Sequence, residues 1–171
     1  PAPPFMTSSL QQDAFNKLGF AVERTMQVAQ KLYEGVPLGD KDTPEALITY
    51  MRTDSLRIAD SALTDARAYI KTTFGDKYVP AKGRQFEAKG SSQDAHEAIR
   101  PIDITKTPEK VAPYRSSEQA KLYEIIWKRF VASQMEAAEF FQRSVQIEGG
   151  DFEFRVTGST LMFDGFLSVY L

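Results

Sequence analysis

The sequence predicts a mainly α-helical, α+β chain, with helices and one short strand over residues 1–136 and strands over residues 137–171. Apolar residues recur at helical spacing in Val22, Met26, Ala29 and Leu32, and again in Leu56, Ala59, Leu63, Ala66 and Ile70. A third such run holds Leu122, Ile125, Ile126, Phe130 and Val131. From Phe140 the period changes to two, with Phe141, Val145 and Ile147 before Gly149-Gly150 and with Phe152, Phe154 and Val156 after it. The shift in composition near residues 135–138 marks the expected boundary between two domains.

Taken in order, residues 1–5 are extended by their prolines. Ser9 with Gln12 fits a capping box, and the short helix that follows runs to Lys17 before Gly19. A second helix covers residues 21–33 and ends at Gly35. Residues 36–45 carry Pro37, Gly39, Asp40, Asp42 and Pro44 and read as a surface loop. Ile48 and Thr49 are β-branched and a Tyr follows, so residues 47–52 read as a short strand. Alternation along it puts Ile48, Tyr50 and Arg52 on one face. Thr53, Asp54 and Ser55 are helix-capping types, so a long helix is expected to open there and to run to Phe74, with Gly75 beyond.

Residues 79–90 form a loop with Lys82, Arg84 and Lys89 against one acidic residue, Glu87. The loop reads either as solvated surface or as a cationic patch for a nucleic-acid backbone. Ser91 and Ser92 open a helical turn through His96 that Pro101 stops, which would set His96 and Arg100 on one side. Pro108 and Pro113 make residues 102–114 a connecting loop. Ser116 with Gln119 is a second capping box, and the helix behind it, to Met135, is expected to be the central packing helix with Trp127 beside it. Residues 161–171 give a further strand or two around Gly165.

At 171 residues the chain can form one domain, or one domain and a piece of another. A hydrophobic fraction of 42% and a charged fraction of 26% belong to an ordinary soluble globular chain. The formal net charge of -2 carries no whole-chain sign of nucleic acid, so any such contact must come from local Lys and Arg. The absence of cysteine excludes disulfides and thiolate metal sites and suits a reducing cytosol. No apolar run approaches the ~20 residues of a membrane span, and no signal peptide opens the sequence. The chain starts at Pro1 and stops at Leu171 inside an alternating stretch, which reads as an internal piece of a longer protein. Gly149, Gly150 and Gly158 lack the spacing of a dinucleotide or Walker motif.

The chemistry concentrates at Tyr50 and Arg52. A tyrosine hydroxyl is a poor nucleophile until something favours its anion. A permanently charged guanidinium nearby does so and can clasp two phosphate oxygens at once. Backbone N–H groups at a helix start would add attraction for an anion. The alternative is a half-buried Tyr beside an ion-paired Arg, with no chemistry. His96, the one histidine, is either structural or exposed, or it donates a hydrogen bond or a proton at the same phosphate. A lone His without convergent ligands makes a poor metal site, and Glu97 is expected to pair with Arg100.

Tyr50-Met51-Arg52-Thr53-Asp54-Ser55 resembles the active-site signature of type IA DNA topoisomerases. Ala95-His96-Glu97-Ala98-Ile99-Arg100-Pro101 resembles a second signature of that family and follows in the expected order. Pro3-Pro4-Phe5, Ser9-Leu10-Gln11-Gln12, Arg24-Thr25-Met26 and Gln30-Lys31-Leu32-Tyr33-Glu34 are also similar to it, and the likeness covers nearly the whole chain.

The resemblance implies that residues 1–136 are the domain bearing the nucleophilic tyrosine, with a fold related to winged-helix domains. It implies that residues 137–171 are part of the neighbouring β-rich arch domain. Tyr50 would attack a DNA phosphodiester and hold the 5′ end, Arg52 would position the phosphate, and His96 would assist. Thr53, Asp54, Glu97 and Arg100 would support the site, and Lys82, Arg84 and Lys89 are candidates for backbone contact. The family's magnesium-binding acidic cluster lies on a separate domain, so no metal or cofactor is expected on this piece, which alone would be inactive. The implied partners are single-stranded DNA and the rest of the parent chain, with no membrane, in a monomer of the bacterial cytoplasm at the nucleoid. The competing reading is a non-catalytic DNA-binding or protein-interaction module with Tyr50 structural. A tyrosine recombinase also uses Tyr, Arg and His on phosphate, but the order of motifs does not fit.

Overall fold

The computed structural model describes residues 1–35, 44–86 and 96–170. Its order is α1 (Thr7–Leu18), α2 (Val22–Glu34), α3 (Asp60–Phe74), α4 (Pro108–Val111), α5 (Ser117–Ser133), β1 (Glu139–Gly149), β2 (Phe152–Phe163) and α6 (Leu167–Tyr170). The described residues are therefore mainly helical, with one antiparallel pair of strands.

α5 is the central element. Ser116 caps it as expected: the Gln119 N–H donates to Ser116 Oγ at 3.3 Å, and the Ser116 N–H donates to Gln119 Oε1 at 3.1 Å. Leu122, Tyr123, Ile126, Trp127, Phe130 and Val131 are buried along it, against Leu10, Met26, Leu32 and Ile70 of the other helices. Two of its aromatic side chains hold the proline-rich connection. The Tyr123 hydroxyl donates to the Lys106 carbonyl at 2.7 Å and the Trp127 indole to the Ile104 carbonyl at 2.9 Å. Within that connection residues 108–111 form α4 rather than plain loop, since Pro108 suits a first helical turn.

The short strand expected at residues 47–52 is not a strand. Three extended segments meet through isolated bridges, Phe5 with Ile99 and Ile48 with Pro101. The Thr49 hydroxyl adds a bond to the Ala98 carbonyl at 2.7 Å and accepts from the Arg100 N–H at 3.0 Å. The chain bends after Thr49, so the expected common face is lost: Ile48 and Met51 are fully buried while Tyr50 and Arg52 are exposed.

The long helix does not open at Thr53; α3 begins at Asp60. The capping-type side chains turn on their own backbone instead, with the Ser55 N–H donating to Thr53 Oγ1 at 3.0 Å and the Arg57 N–H to Ser55 Oγ at 3.1 Å. The Ala98 N–H donates to the Arg57 carbonyl at 2.9 Å and keeps the stretch extended. α1 likewise starts two residues before the expected cap: the Met6 N–H donates to Ser9 Oγ at 3.1 Å, and Ser9 lies inside the helix. The helical turn expected over residues 91–96 falls outside the described residues except for His96, and residues 96–101 are extended, not helical.

β1 and β2 form a hairpin whose register pairs Val145 with Val156 and Ile147 with Phe154. The loop is Gly150 and Asp151, with a positive φ of 62° at Gly150 only, the sign pattern of a type II′ turn. Opposed residues share a face, so Phe141, Val145, Ile147, Phe152, Phe154 and Val156 make one apolar side, and every residue from 139 to 162 is exposed. Among the described residues no further strand follows. β2 ends at Phe163, and residues 164–170, read from sequence as part of the second unit, return to the helical body. Phe166 N–H donates to the Glu136 carbonyl at 2.9 Å, and Val169 is buried in the core. At the crossing, a Cβ on Gly165 would lie 2.5 Å from the Ala137 oxygen. The Tyr170 hydroxyl then donates to Asp13 at 2.9 Å and accepts from Arg129 at 2.7 Å, tying the return to α1 and α5.

Candidate active site

The site begins with Thr7, at the first position of α1. Its hydroxyl shares one proton between the Met51 carbonyl at 2.7 Å and the Thr53 carbonyl at 3.0 Å, and it accepts from the Thr53 N–H at 2.8 Å. The Thr7 N–H donates to the Thr53 carbonyl at 2.9 Å. The bend at residues 50–53 is thereby sewn to the first turn of a twelve-residue helix. Met51 plugs the core, and its neighbours on both sides face outward.

Arg52, Thr53, Asp54 and His96 line a cleft of about 530 Å³ together with Met6, Thr7, Ser8 and Gln11. A helix N-terminus does border Arg52, then, but it belongs to α1 and not to the helix that follows in sequence. Tyr50 is 39% exposed and stands beside this cleft. Its ring stacks on that of His96, with centroids 6.0 Å apart and planes 29° from parallel. On its other neighbour, Tyr33, it makes an edge contact with centroids 5.4 Å apart. His96 is thus the shared wall between the phenol and the guanidinium.

The other expected residues divide. Thr53 is buried, and its side chain serves the bend, whereas Asp54 is exposed at the cleft. Glu97 pairs with Arg100, whose Nε and Nη2 lie 2.8 and 2.7 Å from Glu97 Oε2, and Arg100 Nη1 donates to the Pro101 carbonyl at 3.1 Å. Arg100 opens onto a separate groove of about 670 Å³ between α3 and residues 100–105, whose lining includes none of Tyr50, Arg52 and His96. Lys82 is exposed. Arg84 is engaged by the end of α5, paired with Glu136 at 3.2 Å while its backbone bonds the Gln134 amide. Lys89 lies outside the described residues. Among the described residues no group of three or more His, Asp or Glu side chains is placed to hold a metal ion. No described helix is long and apolar enough to cross a membrane.

Sequence reasoning gave no role to Thr7 or Tyr33. Tyr33 stands in a stretch similar to the family, but nothing in the spacing says that the last turn of α2 meets Tyr50. A hydroxyl residue two positions before the expected cap, Ser9, was the signal for Thr7.

A small helical body thus sets Arg52 and His96 in one cleft, with Tyr50 stacked on His96 beside it. The chain belongs to the type IA, bacterial DNA topoisomerase family: it matches the family described as DNA topoisomerase over residues 1–171. It is 49% identical to DNA topoisomerase 1 of Xylella fastidiosa (strain Temecula1 / ATCC 700964), over 99% of this chain and 21% of that protein. It is 47% identical to DNA topoisomerase 1 of Thermotoga maritima, over 99% of this chain and 27% of that protein. The solved full-length topoisomerase I from Thermotoga maritima superposes with a TM-score of 0.87 at 45% identity, over 99% of this chain and 27% of that one. The chain thus spans between 21% and 27% of the length of these relatives.

Proposed function

We propose that this chain is the tyrosine-bearing part of an enzyme that relaxes negatively supercoiled DNA by transient cleavage of one strand. The observation that carries the reading is the stacking of Tyr50 on His96, which itself lines the cleft holding Arg52. In the reaction, Tyr50 Oη attacks the phosphorus of a DNA phosphodiester. The Oη–P bond forms as the P–O3′ bond breaks, the phenolic proton leaves, and the departing oxygen ends as a 3′ hydroxyl. The 5′ end stays on Tyr50 as a phosphotyrosine until the 3′ hydroxyl attacks back. One ester replaces another, so no nucleotide triphosphate is consumed. Arg52 holds and neutralises the phosphate, and the first turn of α1 adds its N–H dipoles to the same cleft. His96 orients the phenol by stacking and faces the phosphate from the side. Thr53 and the Glu97–Arg100 pair keep their two segments in place.

The described residues do not fit a magnesium site, since no three His, Asp or Glu side chains converge among them. In this reading the body is related to winged-helix domains, the hairpin is part of a β-rich arch, and the rest of the parent supplies the metal site. Its substrate is a single-stranded segment of DNA in the bacterial cytoplasm. Lys82 is the remaining described candidate for backbone contact in its loop, since Arg84 is already paired.

The test uses the full-length parent and a single-stranded oligonucleotide, quenched with detergent. Wild type is expected to leave a covalent adduct, and Tyr50→Phe none, at an unchanged thermal midpoint. An adduct that survives Tyr50→Phe would put the nucleophile elsewhere. No adduct from either protein would favour a non-catalytic binding module.

A further inference from the structure

We propose that Tyr33 is a positioning residue for Tyr50, a role that rests on Tyr50 being the nucleophile. Tyr50 sits on an exposed bend, outside the buried core. Two rings limit it: His96 stacked at 6.0 Å and Tyr33 edge-on at 5.4 Å with planes 66° apart. Edge-to-face and offset-stacked pairs are the preferred aromatic geometries, so both contacts hold the phenol rather than merely fill space.

Tyr33 can act in this way because its own turn is anchored to the same segment at two further points. The Leu47 N–H donates to the Leu32 carbonyl at 2.9 Å, three residues ahead of Tyr50. Gly35 closes α2 with φ +94°, and a Cβ there would lie 2.9 Å from the Glu45 carbonyl carbon. The last turn of α2 is therefore a platform against which the chain entering Tyr50 is registered, and Tyr33 is the side chain that carries this registry to the phenol ring. Tyr33 is 38% exposed and stands outside the core, to which α2 contributes Met26, Val28, Ala29 and Leu32.

The ring, not the hydroxyl, makes the described contact. The expectation is that Tyr33→Leu slows adduct formation about tenfold or more, as misorientation of a reacting group does, while Tyr33→Phe keeps the wild-type rate. The experiment measures single-turnover cleavage of a fluorescent single-stranded oligonucleotide by the full-length parent, with the Kd for that oligonucleotide and the thermal midpoint alongside. A slowed rate at unchanged Kd in Tyr33→Leu, rescued in Tyr33→Phe, supports the role. A wild-type rate in Tyr33→Leu, a loss confined to Kd or thermal midpoint, or a Tyr33→Phe as slow as Tyr33→Leu overturns it. If Tyr33→Leu does not fold, Tyr33→Met is read by the same criteria. Failure of the underlying assignment is distinguishable, because wild type itself would then form no adduct through Tyr50.

Discussion

Met51 decides which side chains at the bend are available for chemistry. It is fully buried, and with the backbone turning on either side of it, Tyr50 and Arg52 lie outside the core, the phenol between Tyr33 and His96 and the guanidinium at the cleft. Thr7 makes that arrangement rigid, since one hydroxyl serves two carbonyls and one N–H across forty-four and forty-six residues of sequence. Thr7→Val keeps the shape and removes those partners. It is expected to destabilise the chain by about 1–3 kcal/mol, the cost of leaving buried polar groups unpaired, measured by denaturant unfolding. A change under about 0.5 kcal/mol, the level of an ordinary surface substitution, would show that water replaces the hydroxyl. At this scale the sequence disclosed the residue types and not their partners. Tyr50, Arg52 and His96 were singled out through the resemblance to the family signatures, whereas Thr7 and Tyr33 meet the bend through contacts that no spacing encodes.

Among the elements, α2, α3 and α5 were legible because their apolar residues recur at helical spacing, and the hairpin because its apolar residues alternate, whereas α4 was read as loop and α6 as strand. The stretch between Thr53 and Ile58 was not, because Thr and Ser can cap a helix or fold their hydroxyls onto their own backbone, and a contact from residue 98 decides between these. The same competition shapes the turn after Ile102. Asp103 accepts from the Thr105 hydroxyl at 2.7 Å and from the Thr105 N–H at 2.9 Å. Burial pushes its carboxyl up, but these bonds and the nearby Lys106 and Lys110 outweigh it and hold the group below its ordinary value. A depressed carboxylate contributes stability that is complete above its unfolded value and is lost as pH falls through its folded one. The chain should therefore lose stability on acidification below about pH 4, with a smaller loss in Asp103→Asn. Parallel acid titrations of the two proteins by circular dichroism would contradict this if their slopes coincided.

For the molecule as a whole, the hairpin is the element with the least cover. One face carries Phe141, Val145, Ile147, Phe152, Phe154 and Val156, all exposed, on a two-stranded sheet that is marginal by itself. The isolated chain should self-associate in sedimentation at micromolar concentration. The double variant Ile147→Thr with Phe154→Thr should stay monomeric at the same helicity; equal association of both would place the contact elsewhere. Alternation revealed the hairpin but not its exposure, since period two looks alike whether the apolar face is covered or bare. Nor could any pattern within the chain foretell that residues 164–170 come back to the body, which depends on Gly165 and on Tyr170 reaching Asp13 and Arg129.

The most direct measurement of the central claim is to map the DNA-linked peptide. The full-length parent is trapped on a single-stranded oligonucleotide, digested with a protease and a nuclease, and sequenced by mass spectrometry. The account predicts a nucleotide phosphate on Tyr50. The same mass found on any other residue, Tyr33 included, would contradict it.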